Sequence, residues 1–243
     1  MKTLRIGSGA GYSGDRIEPA VELAEHGDLD YLVFECLAER TIALAQQARI
    51  SDPQGGYDPL LSERMRRVLP FVGVQIGRRR LRVITNMGAA NPVSAAAEVR
   101  RIAVELGLDL KVLAVVGDDV LTMLQPEFLL DNGQTVGSLG ERLISANAYL
   151  GVDGILQALH ADADVVITGR VADPRCSWRR RWLSSAGRRT IGRGWGAAPW
   201  WVICSNVPGK SAGGILPTRV SRMWMTWRAW VSRWPRLMLT VRP

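Results

Sequence analysis

Four short stretches of the chain combine residue types and spacing that can do chemistry. The first, "GAGYSG", matches G-x-G-x-x-G through Gly9, Gly11 and Gly14, and Glu35 follows Gly14 by 21 residues. That layout suits a dinucleotide: glycines allow a tight turn and close backbone approach to a pyrophosphate, and a carboxylate holds a ribose hydroxyl. NAD(P) is the cofactor it would take. Asp15, directly after the motif, would repel phosphate there, or would serve as a helix N-cap.

The second stretch, "TNMGAANP", sets Asn86 and Asn91 around a Gly-Ala turn. Amides can orient a carbonyl, carboxylate or phosphate without adding charge. Asn91, just before a proline, has the simpler use of capping the next helix. Asn86 is the sharper candidate. The third, "VVGDDV", places Asp118 beside Asp119, a pair able to hold a divalent cation or divide acid and base roles. Paired loop aspartates also serve as solvated caps. The fourth, "TGRVADP", offers Arg170, whose planar guanidinium grips a carboxylate or phosphate through two hydrogen bonds. An ion pair with Asp173 is the structural use for the same arginine.

Other routes are poorly supplied. The two histidines, His26 and His160, each end a helical pattern, where a cation complements the helix dipole. The three cysteines, Cys36, Cys176 and Cys204, form no even disulfide framework. A His-based triad or a His-rich zinc site is not available, and no metal is expected.

Elements able to position these loops are legible as alternation. Apolar, β-branched runs recur at "LRIGSG", "DYLVFEC", "LRVITNMG", "LKVLAVVG" and "ADVVITGR", each closing on Gly or a polar residue, as buried parallel strands do. Helical patterns lie between them at 16–26, 38–50, 57–69, 92–106 and 141–160. The fourth opens on Pro92 and closes on Gly107, a helix start and stop. Five strands with crossover helices predict an α/β fold with a mostly parallel sheet and helices on both faces, Rossmann-like in layout; a partial (β/α) barrel is the alternative. In both, ligands bind beyond the carboxyl ends of the strands, where the four stretches fall.

The composition changes at Pro174. Residues 175–243 contain 14 of the 31 Lys and Arg residues, all nine tryptophans and none of the 23 acidic residues, which leaves residues 1–174 at a net −6. The formal +8 and the basic isoelectric point therefore belong to the tail. Two domains are expected: an α/β unit over 1–174 and an irregular, basic, Trp-rich tail over 175–243. No apolar run long enough for a membrane span is present, nor an apolar leader at the N-terminus, so a cytoplasmic protein is expected.

The stretches "RIGSGAGYSGDRIEPAVELAEHGDLDYLVFECLAERT", "VITNMGAANP" and "ADVVITGRVADP" resemble, in order and over residues 4–174, the acyclic terpene utilisation family (AtuA). The resemblance implies a role in catabolism of citronellol- and geraniol-type compounds, whose intermediates are acyl-CoA thioesters, and it assigns no catalytic residues. An acyl-CoA substrate is expected, with Gly9, Gly11 and Gly14 near phosphate and Asn86, Asp118 and Arg170 near the reacting group. The alternatives are an NAD(P)-dependent oxidoreductase using the glycine loop and Glu35, and a non-catalytic subunit of the pathway. A further copy of the chain or another pathway enzyme are the protein partners expected.

Family members are longer and do not turn Trp-rich after the position of Pro174. A shifted reading frame accounts for that departure. "WVICSNVPGK", from residue 201, can be encoded so that a one-frame offset reads "GHLLECAGQ", which resembles a downstream family segment. A displaced frame in a GC-rich gene is also rich in Arg and Trp codons. The tail is accordingly expected to be out of frame and not natively folded. Arg interleaved with Trp would otherwise suit nucleic acid or a membrane surface, but the acidic first unit supports neither.

Overall fold

The computed structural model describes residues 5–76, 79–130, 132–172 and 237–241. Five parallel strands form the central sheet: β1 (Ile6–Ala10), β2 (Tyr31–Phe34), β5 (Arg82–Thr85), β6 (Val112–Val115) and β8 (Val165–Thr168). Their order is β1-β2-β5-β8-β6, leaving β1 and β6 at the edges of an open sheet. The chain thus steps from β5 past one position to β6 and returns to fill the gap with β8, joining the two strands in register (Val83 opposite Val165, Val112 opposite Val165). The expected α/β class and parallel sheet are what the structure has.

Alternation along each strand sends side chains to two faces. Leu32, Phe34, Val83, Val165 and Ile167 face helices α1 (Glu18–His26), α3 (Leu61–Val68) and α4 (Pro92–Glu105). Val33, Ile84, Val115 and Val166 face α5 (Asp153–His160) on the other side. Leu32, Phe34, Leu61, Met65, Ile84, Ile102 and Ile167 are fully buried, each stabilising the fold by about 1.5–3 kcal/mol through removal of apolar surface from water. Strand β1 is glycine-rich because the interior leaves no room: a Cβ on Gly9 would lie 2.6 Å from the Phe34 ring.

Helix boundaries follow local signals. Asn91 caps α4, its Oδ1 accepting the Ser94 N–H at 3.2 Å, with Pro92 in the first turn. Gly107, at φ +69°, ends it, a conformation costly for residues with a Cβ. Helix α2 (Glu39–Ser51) packs Ile42 and Ala45 against Leu37, Ala89 and Ala90, residues of the loops after β2 and β5. It therefore lies over the carboxyl ends of the sheet, unlike the helices that cover its faces.

The helix expected over 141–160 is a correction. Leu143–Ala148 form a strand, β7, and only Asp153–His160 are helical. "LISANA" alternates along a pleat, burying Ala146 and Ala148 beside Val120, and its backbone pairs with the loop after β6 through Val120 N–H to Ala146 O at 2.9 Å and Ala148 N–H to Asp118 O at 2.7 Å. Tertiary pairing outweighs the mild helix preference of its alanines. A hairpin of β3 (Gln75–Ile76) and β4 (Arg79–Arg80) was not signalled by the sequence. Within the tail expected to be irregular, Leu237–Val241 form a strand, β9, antiparallel to β7; the rest of the expected out-of-frame segment lies outside the described residues.

Candidate functional site

The loops after β2, β5, β6 and β8 converge on a buried polar network. The Asn86 amide is held at both ends: Oδ1 accepts the Cys36 N–H at 2.7 Å, and Nδ2 donates to Glu35 Oε1 at 2.7 Å. Its backbone carbonyl accepts the Ala89 N–H at 3.1 Å and closes the turn expected there. Asn86 thus fixes the orientation of the β2 end, and Glu35 is drawn toward β5, where it also accepts the Leu37 N–H at 3.3 Å.

Arg170 enters the same network from β8. Its Nη1 donates to the Leu37 carbonyl at 3.0 Å, its guanidinium stacks 4.2 Å above the Tyr149 ring, and its Nη2 lies 3.9 Å from Glu39. Tyr149 donates its hydroxyl to the same Glu39 carboxylate at 3.1 Å. Arg170 is only 8% exposed, and its Nε is buried with no acceptor among the described residues. A buried donor without an acceptor is costly, and this one stands just beyond the carboxyl end of β8, the side of such sheets on which ligands bind. The alternative partner Asp173 lies outside the described residues.

Asp118 and Asp119 part company. Asp118 is buried, and its Oδ2 accepts the Arg170 backbone N–H at 2.8 Å and the Asn147 Nδ2 at 3.2 Å. Gln46 of α2 donates in turn to Asn147 Oδ1 at 3.2 Å. Burial pushes the Asp118 carboxyl above the usual aspartate range, against these hydrogen bonds, which lower it. Asp119 instead faces Arg49, whose Nη1 lies 3.2 Å from it and 2.9 Å from the Ala90 carbonyl. One aspartate is therefore buried and able to carry a proton, while the other tethers α2. Among the described residues, no three His, Cys, Asp or Glu side chains stand where a metal ion could be held.

The glycine loop folds around its own acid. Asp15 Oδ2 accepts the Gly11 N–H at 2.9 Å, and its Oδ1 accepts the Arg16 N–H at 2.9 Å. Gly11 thus already has an anion at its amide, and α1 starts only at Glu18. Gly9 packs on Phe34, and a Cβ on Gly14 would approach only the Tyr12 ring, at 3.3 Å.

Beneath this loop lies a constellation the sequence did not disclose. Arg64 of α3 is fully buried, its Nη2 donating to the Ser13 and Asp15 carbonyls at 2.9 and 2.8 Å. Its Nη1 lies 3.2 Å from Cys36 Sγ and 3.6 Å from Asp58 Oδ1. Asp58 Oδ2 accepts the Ser13 hydroxyl at 2.5 Å, and Oδ1 accepts the Leu60 N–H at 2.9 Å. Burial raises the Asp58 carboxyl despite these partners and pushes the Cys36 thiol far up, leaving it a neutral thiol. Asp58, Arg64, Gln46 and Asn147 were invisible as site residues because their roles depend on tertiary approach; Asp58 lies 45 residues from Ser13 and Asn147 lies 29 from Asp118.

Comparison with known proteins agrees with the quoted stretches. The model of the family described as "Acyclic terpene utilisation family protein AtuA" matches residues 4–178. No curated protein and no solved structure matches the chain. The family match spans well over half of the 243 residues and includes every loop of the polar network, so the chain belongs to the acyclic terpene utilisation family.

Proposed function

We propose that the protein acts in catabolism of citronellol- and geraniol-type compounds on an acyl-CoA-linked intermediate held over the carboxyl ends of the sheet. One observation carries this reading: Arg170 presents a buried guanidinium whose Nε has no acceptor among the described residues, and its backbone N–H is held by a buried carboxyl, Asp118, whose proton affinity is raised. An unused donor of fixed charge suits the carbonyl oxygen or carboxylate of the acyl portion. A carboxyl titrating nearer neutrality suits proton transfer at the adjacent carbon or oxygen. Asn86 fixes the chain after β2 through Cys36 and Glu35, next to the Leu37 carbonyl that accepts from Arg170.

The acyl portion places the CoA phosphates elsewhere than at the Gly11 amide, which Asp15 already occupies. The position of Glu35 at the end of β2, beside the glycine loop, favours an NAD(P)-dependent oxidoreductase as the second reading. Thermal stabilisation separates the two. A rise in melting temperature with CoA thioesters of citronellol- or geraniol-derived acids, lost in Arg170→Met, is expected. A rise with NAD(P) alone would replace this reading with the oxidoreductase. If neither ligand acts and other pathway enzymes co-purify with the chain, a non-catalytic subunit is the function.

A cytoplasmic location accompanies this reading, and no helix among the described residues is long and apolar enough to cross a membrane. Residues 175–243 are read as an out-of-frame continuation. That is supported by the loss of acidic residues there and by a family match that stops at residue 178. Resequencing through the codon for Pro174 decides it; an uninterrupted frame encoding this tail, with no alternative frame continuing the family pattern, would overturn it.

A further inference from the structure

We infer that Ser13, at the carboxyl end of β1, is an activated nucleophile whose hydroxyl proton is taken by Asp58. The hydroxyl donates to Asp58 Oδ2 at 2.5 Å, the nucleophile-to-base contact that acyl-transfer sites require. Asp58 is in turn oriented by a third group, since the Leu60 N–H fixes its other oxygen at 2.9 Å. Ser13 is partly exposed while Asp58 is 5% exposed. Ser13 thus stands nearer solvent than its base, which is shielded.

A simple tether would not need this bond. The loop is already pinned by Arg64 through the Ser13 and Asp15 carbonyls and by Asp15 through the Gly11 amide. Burial of the Asp58 carboxylate carries a desolvation cost, offset in part by the Arg64 guanidinium, whose Nη1 lies 3.6 Å from Oδ1. As a base the same cost is useful, because desolvation raises its proton affinity. Arg64 is a positioning residue: it sets the loop over Asp58 and joins it to the strand-end network through Cys36, whose amide Asn86 holds.

The chemistry balances with water as the only co-reactant. Ser13 Oγ bonds to the carbonyl carbon of an activated acyl group as its proton passes to Asp58. The bond to the leaving group breaks, and the leaving group takes the proton from Asp58. Water then attacks the Ser13 ester, its proton returning through Asp58 to Oγ. The net change is hydrolysis, or transfer if another alcohol or thiol replaces water. That the acyl group is a CoA thioester rests on the function proposed above; the activation of Ser13 does not.

An alkyl fluorophosphonate tests the serine directly, because attack forms an Oγ–phosphorus bond and expels fluoride. The full chain is expected to gain one phosphonyl adduct by intact mass, mapped to Ser13 by peptide sequencing and absent in Ser13→Ala. Asp58→Asn should slow labelling about a hundredfold or more, and the wild-type labelling rate should climb with pH through a value above that of an ordinary aspartate. Should Asp58→Asn not fold, that pH profile carries the same test. No adduct at Ser13, equal labelling of Ser13→Ala, or a pH-independent rate would overturn the inference. Labelling of Ser13 without thiol release from the CoA thioesters would leave the nucleophile standing and sink only the substrate.

Discussion

The Asp118 carboxylate accepts the backbone N–H of Arg170 at 2.8 Å, across 52 residues of chain. β8 lies between β5 and β6 in the sheet, so this bond ties the loops that follow β6 and β8. It holds Arg170 where its side chain can cross to the Leu37 carbonyl at the end of β2. The same closeness makes Gly169 obligatory: a Cβ there would sit 2.5 Å from Asp118 Oδ2 and 2.8 Å from the Ala89 carbonyl. Neither neighbour yields easily, since one is held by two hydrogen bonds and the other is backbone. Gly169→Ala is expected to destabilise the chain by about 1–3 kcal/mol, read as a lower urea midpoint, and to weaken any ligand that depends on Arg170.

Burial raises the Asp118 carboxyl, so in the folded state it holds its proton to higher pH than in the unfolded chain. Its contribution to stability is therefore fully present below the ordinary aspartate value and is lost as pH rises through the raised folded value. Asp58 has the same sign. Asp118→Asn removes one of the two titrations while an amide oxygen can still accept the Arg170 N–H. Urea midpoints measured from about pH 4 upward should fall less steeply for Asp118→Asn than for the wild type. An equal or steeper fall would show that the raised proton affinity is not expressed in stability.

The parallel sheet was legible because buried strands read as continuous apolar runs, and four of the five helices fell where helical patterns were read, α4 with start and stop signals at Pro92 and Gly107. β7 was not legible, because its strand character comes from pairing with β9 and with residues 118–120 rather than from its own alanines and asparagine. Asn86 and Arg170 could be picked out by their place after a strand. Arg64 could not: "SERMRRV" reads as a solvated helix face, yet Arg64 alone of its three arginines is fully buried, while Arg66 and Arg67 form surface pairs with Glu105 and Glu18. Which arginine of a charged helix turns inward is set by the carbonyls waiting for it, here those of Ser13 and Asp15.

Asn91 is a cap with a second task. Besides accepting the Ser94 N–H, its Nδ2 donates to the Pro53 and Gly55 carbonyls at 3.0 and 2.9 Å. It therefore fastens the turn after α2 to the start of α4. Asn91→Ala removes the cap, worth about 1 kcal/mol, and strips two carbonyls of their donor, so a total loss of about 2–3 kcal/mol is expected. Asn91→Ser, which can still cap, should recover the cap and leave the rest of the loss; full recovery by serine would mean that the two carbonyls are served by water.

Arg64 places a permanent cation in the core, where its neighbours rather than solvent must stabilise it. Asp58, two backbone carbonyls and two sulfur atoms, those of Cys36 and Met87, do so. Its Nε has no acceptor among the described residues. Arg64→Met fills similar volume but leaves the Asp58 charge without its cation and the Ser13 and Asp15 carbonyls without their donor. Breaking a buried pair from one side costs about 3–5 kcal/mol, so the variant should unfold at a much lower urea midpoint. Arg64→Met combined with Asp58→Asn removes the stranded charge and should lose less than the sum of the two single losses, as a double-mutant cycle reads it. Strict additivity would mean that Arg64 is held by the loop carbonyls alone and that Asp58 answers only to Ser13 and Leu60.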